Sequence, residues 1–597
     1  MKYPKLSALT TTRQMIDTFR GYNHNLRIAD GEFYEMENIT SDYYPVLAPR
    51  AKRGVYASKS GLDGITAIIA KDKLCYVDGR DFVVGDERVE DFFTHNLSSP
   101  VVRLVSMGAY VIILPEKKYV NTQDLSDRGS LEANYWEDGD MSLRICSVDG
   151  EEFKGVGSAT TPSNPTDELI WIDISVEPYV AKRYSEATKM WSVISPTYVK
   201  ISANGIGSQF SRYDCVNIKQ APDIKAQPWA KASLEGNKII HACGYNYIVV
   251  EGSVFGQYNL HPEGVDEYSG CIEIERKIPE MDFVTQSGNR LWGCKYGKAA
   301  NGEMVNEIYA SKLGDFKNWS CYMGLSTDSY AVSVGSDGPF TGAITYLGYP
   351  LFFKENCVHK VYGNYPANYQ IQTTSCRGVQ AGSDKSLAIV NETLFYKSSG
   401  AVCAYDGSLP VEVSYALGHE QYSEAVAGSR GNNYYISMMD KDRKSHLFVY
   451  DVAKAMWHRE DNFRSEGFAS WNGELYAIAE GLDKIVTMFG SGTKDTENVK
   501  WMVETGPMGT DMPDMKYISR LTVRMMLPFG SRVRIFAQYD SIGGWEHLCT
   551  MVGTSLRSFS IPIRPRRCDH MKLRIEGEGD ARIYSITKTN EQGSDIS

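Results

Sequence analysis

The residues most able to do chemistry in this sequence are carboxylates: Glu151-Glu152, Asp173, Glu275, Asp440 and Asp442. A glycoside hydrolase needs two carboxyl groups facing each other across a cleft. Sequence spacing does not pair any of these, and the sugar-hydrolase turn phrase S-x-D-x-G-x-x-W is missing. The ten histidines form no H-E-x-x-H or H-x-H pair, and the twelve cysteines are never closer than 19 residues. Zinc-ligand spacing is therefore lacking. The cysteines sit in apolar runs such as LCYV and LWGC, the setting of buried reduced thiols. Gly155-Val156-Gly157 and Gly205-Ile206-Gly207 lack the strand-to-helix context of a phosphate loop. The pairs Asp138-Gly139, Asp149-Gly150 and Asp406-Gly407 read as tight turns. No catalytic residue, metal ligand or cofactor is assigned, and the expectation is a protein that is not an enzyme.

One set of residues suits binding. SRVRIFAQYDSIGGWEHLCTMV reads as a hairpin carrying Tyr539, Trp545 and His547, whose ring faces could stack on a sugar. Arg564, Arg566 and Arg567 form a basic cluster beside Pro562 and Pro565, suited to an acidic or phosphate-bearing partner. His458, within Trp457-His458-Arg459-Glu460 at the end of a hairpin, reads as structural.

The elements that must position these residues are strands. Of 597 residues, 63 are basic and 74 acidic, a net charge of −11. That balance disfavours a protein that coats nucleic acid. Tyrosine (38) outnumbers phenylalanine (21), and helical periodicity is nearly absent, so the chain is expected to be all-β. Its start, MKYPKLSALTTTRQ, lacks the apolar stretch of a secretory signal, and no apolar run is long enough to span a bilayer.

A repeat organises the strands. Phe352, Phe395, Tyr435 and Tyr476 mark successive units 43, 40 and 41 residues apart, the period of a four-stranded propeller blade. Tyr76, Val111 and Trp292 mark three further units, giving about seven. Each unit is expected to set its most apolar strand innermost, beside an outer hairpin. The expected organisation is an extended arm at 1–60, propeller blades at 61–134 and 281–495, and an inserted small β-barrel or sandwich at 135–280. A C-terminal β-sandwich of jelly-roll or lectin-like type follows at 496–590, then a mobile tail at 591–597.

The opening also carries a resemblance. Asn25-Leu26-Arg27, Asp30-Gly31-Glu32, Met36, Asn38, Pro49-Arg50 and Arg53-Gly54 resemble the L-R-x-x-D-G phrase that opens propeller proteins of tailed-phage virions. STDSYAVSVGSDGPFTGA, RGVQAGSDKSLAIVNETLFYKSSGAVCAYDG and PIRPRRCDHMKLRIEGEGDARIYSI extend it. The family is that of packaged-DNA stabilisation, tail-nozzle and tail-hub proteins in phages or prophages of Gram-positive hosts. The resemblance implies a structural virion protein at a tail or head–tail junction. It implies a homo-oligomeric ring, hexameric in the favoured form, docked on portal, adaptor or other tail proteins. Such a ring would conduct or retain phage DNA without sequence-specific binding, and an acidic wall would suit that passage. The alternative is host recognition, with the C-terminal sandwich binding a surface glycan. A propeller glycoside hydrolase is the third reading.

Overall fold

Short runs rich in valine, isoleucine and tyrosine, punctuated by Gly and Asn turns, fold here as antiparallel strands, and the chain is almost entirely β. The computed structural model describes residues 11–58, 64–97, 102–153, 155–224, 228–253, 258–260, 268–269, 271–299, 302–491, 493–494, 498–510 and 515–592. Residues 593–597 of the expected tail lie outside the described residues.

Seven antiparallel sheets succeed one another along the chain: five have four strands, the sixth is the four-strand end of a thirteen-stranded sheet and the seventh has five strands. Their first strands are Ile65–Ala70, Arg103–Met107, Phe283–Ser287, Gly342–Tyr346, Ala388–Val390, Tyr422–Arg430 and Ser465–Trp471. These first strands lie against one another in succession. The fourth approaches the fifth sheet at the 3-10 turn Asp384–Ser386, and the seventh meets the first. Apolar cores fill the seams between sheets. Val77 and Phe82 of the first sheet pack with Val111 and Ile113 of the second, and Ile478 and Ile485 of the seventh pack with Leu74 and Tyr76 of the first. A single sheet of this kind cannot cover both of its faces, so each depends on its neighbours.

The marker residues of the repeat all fall on second strands, a departure from the expected innermost position. Tyr76 lies on Leu74–Asp78, Phe395 on Thr393–Lys397 and Tyr476 on Glu474–Ala479. Second strands are paired on both edges and covered on both faces, and Leu74–Asp78 and Glu474–Ala479 are buried at every residue. First strands such as Arg103–Met107 keep partly exposed positions because they border the axis.

The seventh sheet takes its outer strand from early in the chain. Gly54–Ser58 pairs antiparallel with Lys484–Thr487. Residues 11–37 contribute strands as well: Thr11–Ile16 pairs with Arg582–Gln592, and Glu32–Glu37 with Lys500–Thr505. They join a C-terminal module built around one long strand, Lys516–Tyr539. Its first half pairs with Arg582–Gln592 and its second half with Met571–Glu578. The ladder register breaks between Leu527 and Arg532, around Pro528–Gly530. Leu521, Val523 and Met525 before the break and Val533 and Ile535 after it enter the same core.

Between the second and third sheets the chain builds an inserted module of two main sheets. One contains Ala133–Glu137, Cys215–Gln220, Gly236–Ile239 and Ile272–Arg276; the other contains Met141–Cys146, Tyr198–Ala203 and Tyr247–Glu251. Leu143, Ile201, Ile218, Ile248 and Ile274 form their shared core. The sheets keep open edges among the described residues, so the barrel option is not realised. The helix Pro228–Leu234, absent from the expectation, presses Ala230 and Leu234 into this core at one-turn spacing. Asp214 joins the module to the third sheet, pairing with buried Arg276 and accepting from Asn318 Nδ2 at 3.0 Å.

Candidate functional site

The carboxylates singled out by sequence are dispersed, and Asp173, Glu275, Asp440 and Glu152 are engaged with neighbouring basic side chains. Asp173 accepts from Ser175 and from Lys182 Nζ at 2.9 Å, which hold its carboxyl down to about 2. Glu275 is pushed up by burial yet held low by Lys219 and Lys277. Asp440 faces His446 at 2.8 Å, Asp442 donates its backbone N–H to Asp440 at 2.8 Å, and Glu152 meets Lys200 at 3.3 Å. Asp406 closes a turn by accepting from Ser408. Among the described residues, no cluster of His, Cys, Asp and Glu is arranged to hold a metal ion, and all twelve cysteines are free thiols.

The C-terminal binding residues do gather, but around one another. The Arg566 guanidinium lies 4.2 Å from the Tyr539 ring centre and pairs with Glu546. Arg574 lies 4.5 Å from the Trp545 ring centre. His547 contacts Thr550 at 2.9 Å and packs edge-on to Phe536. Arg564 and Arg567 are exposed on the neighbouring segment. Tyr539 and Trp545 thus each have a ring face covered by a cation, which competes with stacking on a sugar.

A different site lies on the axis of the seven sheets. A cavity of about 260 Å³ is lined by Ile68, Arg103, Phe283, Ala343, Asp384, Val426 and Phe468, drawn from six of the sheets and from the turn before the fifth. A second cavity, of about 430 Å³, shares Asp384, Lys385, Val426 and Glu466 with it and adds Glu424, Arg464 and Ser465. Together they form an axial pocket.

Local backbone irregularities aim the charged side chains there. Tyr422–Arg430 carries a bulge between Ser423 and Val426, and Ser465–Trp471 carries one between Ser465 and Gly467. Bulges re-aim side chains at sheet rims and beside functional sites. Inside the first of these, Glu424 adopts φ +49°, a left-handed conformation that costs a glutamate roughly 1 kcal/mol or more. Ala425 N–H donates to Ser383 Oγ at 3.1 Å. Ser386 Oγ donates to the Ser383 carbonyl at 2.6 Å and accepts from Lys397 N–H at 2.9 Å. Buried Ser383 and Ser386 thereby lock the turn that presents Asp384 and Lys385.

The charges pair across sheets. Arg103 Nη2 donates to Asp384 at 3.0 Å and lies over the Phe283 ring at 4.6 Å. Arg464 reaches Glu424 at 3.2 Å, Glu466 at 3.2 Å and Glu480 at 3.9 Å. Lys385 Nζ donates to the Glu466 carbonyl at 2.9 Å, and burial pushes its ammonium pKa down. Sequence reading missed this set because its members lie on different repeats. The visible signals were the G-S-D-K-S phrase at Gly382–Ser386 and the charged R-S-E phrase at Arg464–Glu466.

Acceptors, donors and apolar or aromatic surface in one pocket can hold a polyhydroxy ligand. Sugar hydroxyls both donate and accept, and sugar faces pack on aromatic rings. Carboxyls on separate elements facing one pocket also have the chemistry that glycosidic cleavage needs.

No protein-family model matches the chain. No curated protein matches it. Solved structures do match. An exo-β-1,3-galactanase from Phanerochaete chrysosporium is 8% identical and aligns over 51% of this chain and 94% of its own, at a TM-score of 0.22. PorZ, a surface component of the type-IX secretion system of Porphyromonas gingivalis, is 11% identical over 88% of this chain and 82% of its own, at 0.25. A Trypanosoma rangeli sialidase mutant with trans-sialidase activity is 8% identical over 98% and 96%, at 0.18. The expectation of a non-enzymatic structural ring at a phage tail or head–tail junction is not carried further; the solved structures that match include the galactanase and other glycoside hydrolases. Neither the DNA-conducting ring nor the lack of enzymatic activity is retained. In the C-terminal module, Arg566 and Arg574 occupy one ring face each of Tyr539 and Trp545.

Proposed function

We propose that the chain is a seven-bladed β-propeller, with an inserted β-sandwich and a C-terminal β-sandwich, that takes a carbohydrate into its axial pocket. The observation that carries this reading is the convergence of Asp384, Lys385, Glu424, Arg464 and Glu466, from the sixth and seventh sheets and the turn before the fifth, on two adjoining cavities, the first of which also holds Phe283 and Phe468. Carboxylates and cations alternate there as acceptors and donors for hydroxyl groups. A hydrolytic reading is favoured by Asp384, on the turn before the fifth sheet, and Glu466, on the seventh, bordering the same cavity, since glycoside cleavage uses a pair of carboxyl groups. The virion origin suggested by the opening segment is proposed alongside: the propeller would act on a glycan from a phage particle.

Binding measured by calorimetry across a glycan library, with release of reducing ends followed in parallel, tests the function. Wild-type protein binds one glycan class, and Glu466→Gln weakens that binding by about 10-fold, the scale of a lost charged hydrogen bond. Product release that stops in Glu466→Gln establishes hydrolysis. A library without a single ligand, or binding indifferent to both Asp384→Asn and Glu466→Gln, overturns the proposal. Mass spectrometry of purified particles that carry the gene tests the virion origin, and absence of the chain from them removes it.

A further inference from the structure

We infer that Ser541, His570 and Asp569 act as nucleophile, base and positioning residue for acyl transfer, and that this second site hydrolyses a short-chain carboxylic ester. It lies on the C-terminal module and is independent of the axial pocket.

Hydrogen-bond geometry carries the inference. Ser541 Oγ lies 2.8 Å from His570 Nε2, and His570 Nδ1 lies 2.8 Å from Asp569 Oδ2. A serine nucleophile, an imidazole base and a carboxylate that orients the base recur in this arrangement on unrelated folds, recognised by geometry and role. An Nδ1–H donated to Asp569 leaves the Nε2 lone pair facing the serine hydroxyl. The same bond holds the Asp569 carboxyl below its usual range.

The surroundings fix the three groups in place. Ser541 lies in the turn between Lys516–Tyr539 and Glu546–Ile561, and Asp569 and His570 join Arg567–Cys568 to Met571–Glu578. Asp540, next to the serine, clasps that second segment. Its carboxylate accepts from Asp569 N–H at 2.7 Å and from His570 N–H at 3.2 Å, and its own N–H donates to the His570 carbonyl at 3.0 Å. Buried Lys516 donates to the Asp569 carbonyl. Asp540 and Ser541 adopt φ +55° and +53°, and Ile542 N–H closes the turn on the Tyr539 carbonyl at 3.1 Å. A turn with two left-handed central residues favours glycine at the second. The serine there keeps a hydroxyl that glycine lacks, and strain of this kind clusters at active sites.

The site is open to substrate. Ser541 is exposed, and a Cβ added at Gly543 or Gly544 would meet nothing within 4 Å. An exposed turn of this kind admits a short acyl group on an accessible alcohol. Ser541 Oγ bonds to the ester carbonyl carbon as its proton passes to His570 Nε2. The bond from that carbon to the alkoxy oxygen breaks, and the leaving alcohol takes the proton. Water then attacks the acyl-serine and gives a proton to Nε2, and Ser541 Oγ recovers that proton as the carboxylic acid departs.

The experiment treats full-length protein with a fluorophosphonate, which loses fluoride to an activated serine, and maps the modified residue by mass spectrometry. Turnover of p-nitrophenyl acetate is followed in parallel. Ser541 carries the label. Ser541→Gly, which suits the left-handed backbone, loses the label and at least about 100-fold in kcat, with an unchanged melting temperature. His570→Gln does the same. Asp569→Asn lowers kcat by a similar factor with KM and melting temperature unchanged, a split that a merely structural carboxylate would not produce. A chain that takes no label, or takes it at another residue, overturns the inference. So does turnover that survives in Ser541→Gly or His570→Gln. None of these results bears on the carbohydrate reading of the axial pocket, which stands or falls on its own titrations.

Discussion

Arg53 Nη2 donates to Glu460 Oε2 at 2.8 Å, with both side chains buried and 407 residues between them in sequence. Arg53 also grips Asp461 at 2.8 Å, and Arg50 reaches the same two carboxylates. The cluster fixes the segment just before Gly54–Ser58 against the end of the sixth sheet. Removing Arg53 leaves Arg50 as the one cation facing two carboxylates, so one buried charge loses its closest counter-ion, at a cost of about 3 kcal/mol, the low end for a broken buried pair. Arg53→Ala is expected to lower stability by that amount in urea denaturation. Arg53→Met combined with Glu460→Met loses less than the two single changes added together, because no lone charge remains.

Acid should weaken the fold through two histidines. Burial pushes His458 and His359 down to about 4, from an ordinary value of 6.5. Both are neutral in the folded chain down to that pH, whereas an unfolded chain protonates them below about 6.5. The unfolded state binds more protons across this window. Stability is therefore complete above pH 6.5 and falls as pH drops toward 4. Each histidine contributes at most roughly 3 kcal/mol to that slope. Denaturation midpoints measured from pH 7.5 to 4.5 check this, and His458→Gln should flatten the curve.

Packing in the C-terminal module leaves no room at Gly577. A Cβ there would come within 2.0 Å of the Trp501 ring. Gly577→Ala must displace a buried tryptophan and should cost about 3 kcal/mol, the upper end for overfilled cores. Thermal unfolding and Trp501 fluorescence report the change. Gly544→Ala, with nothing within 4 Å, is the matched control and should be nearly silent.

Trp545 separates the two places where a sugar could dock. With Arg574 over its ring, Trp545→Ala should change glycan affinity by less than about 2-fold, as a surface substitution remote from a site does. The same titration with Asp384→Asn should show a clear loss. A large effect of Trp545→Ala would move the binding site back to the C-terminal module.

The strand content and the repeat were legible because each depends on local pattern. The steps between Phe352, Phe395, Tyr435 and Tyr476 record second strands buried on both faces and therefore rich in apolar residues. The radial order was misread for the same reason: the most apolar strand is the most enclosed one, whereas the innermost borders the pocket. The role of residues 11–37 was hidden because their partners lie near the other end of the chain, and local pattern carries no record of distant pairing. The axial site was hidden likewise. Asp384, Glu424 and Glu466 belong to different repeats, and only the closing of the sheets around an axis brings them together. Tyr539 and Trp545 were legible as members of one hairpin and Arg566 as part of a separate basic cluster, but local pattern held no sign that arginines would cover the rings.

The pairing of Gly54–Ser58 with Lys484–Thr487 has a consequence for biosynthesis. Val55 and Val486 are opposite one another in that ladder, so the ring is joined across more than 400 residues. At roughly 5–20 residues per second, the ribosome takes tens of seconds to deliver the later strand after the earlier one. Throughout that interval the first sheet lacks the seventh as its neighbour, and Gly54–Ser58 has no strand to pair with. The nascent chain thus carries an unpaired edge for most of its synthesis, the state in which β-rich chains are most open to pairing with another copy or to capture by a chaperone.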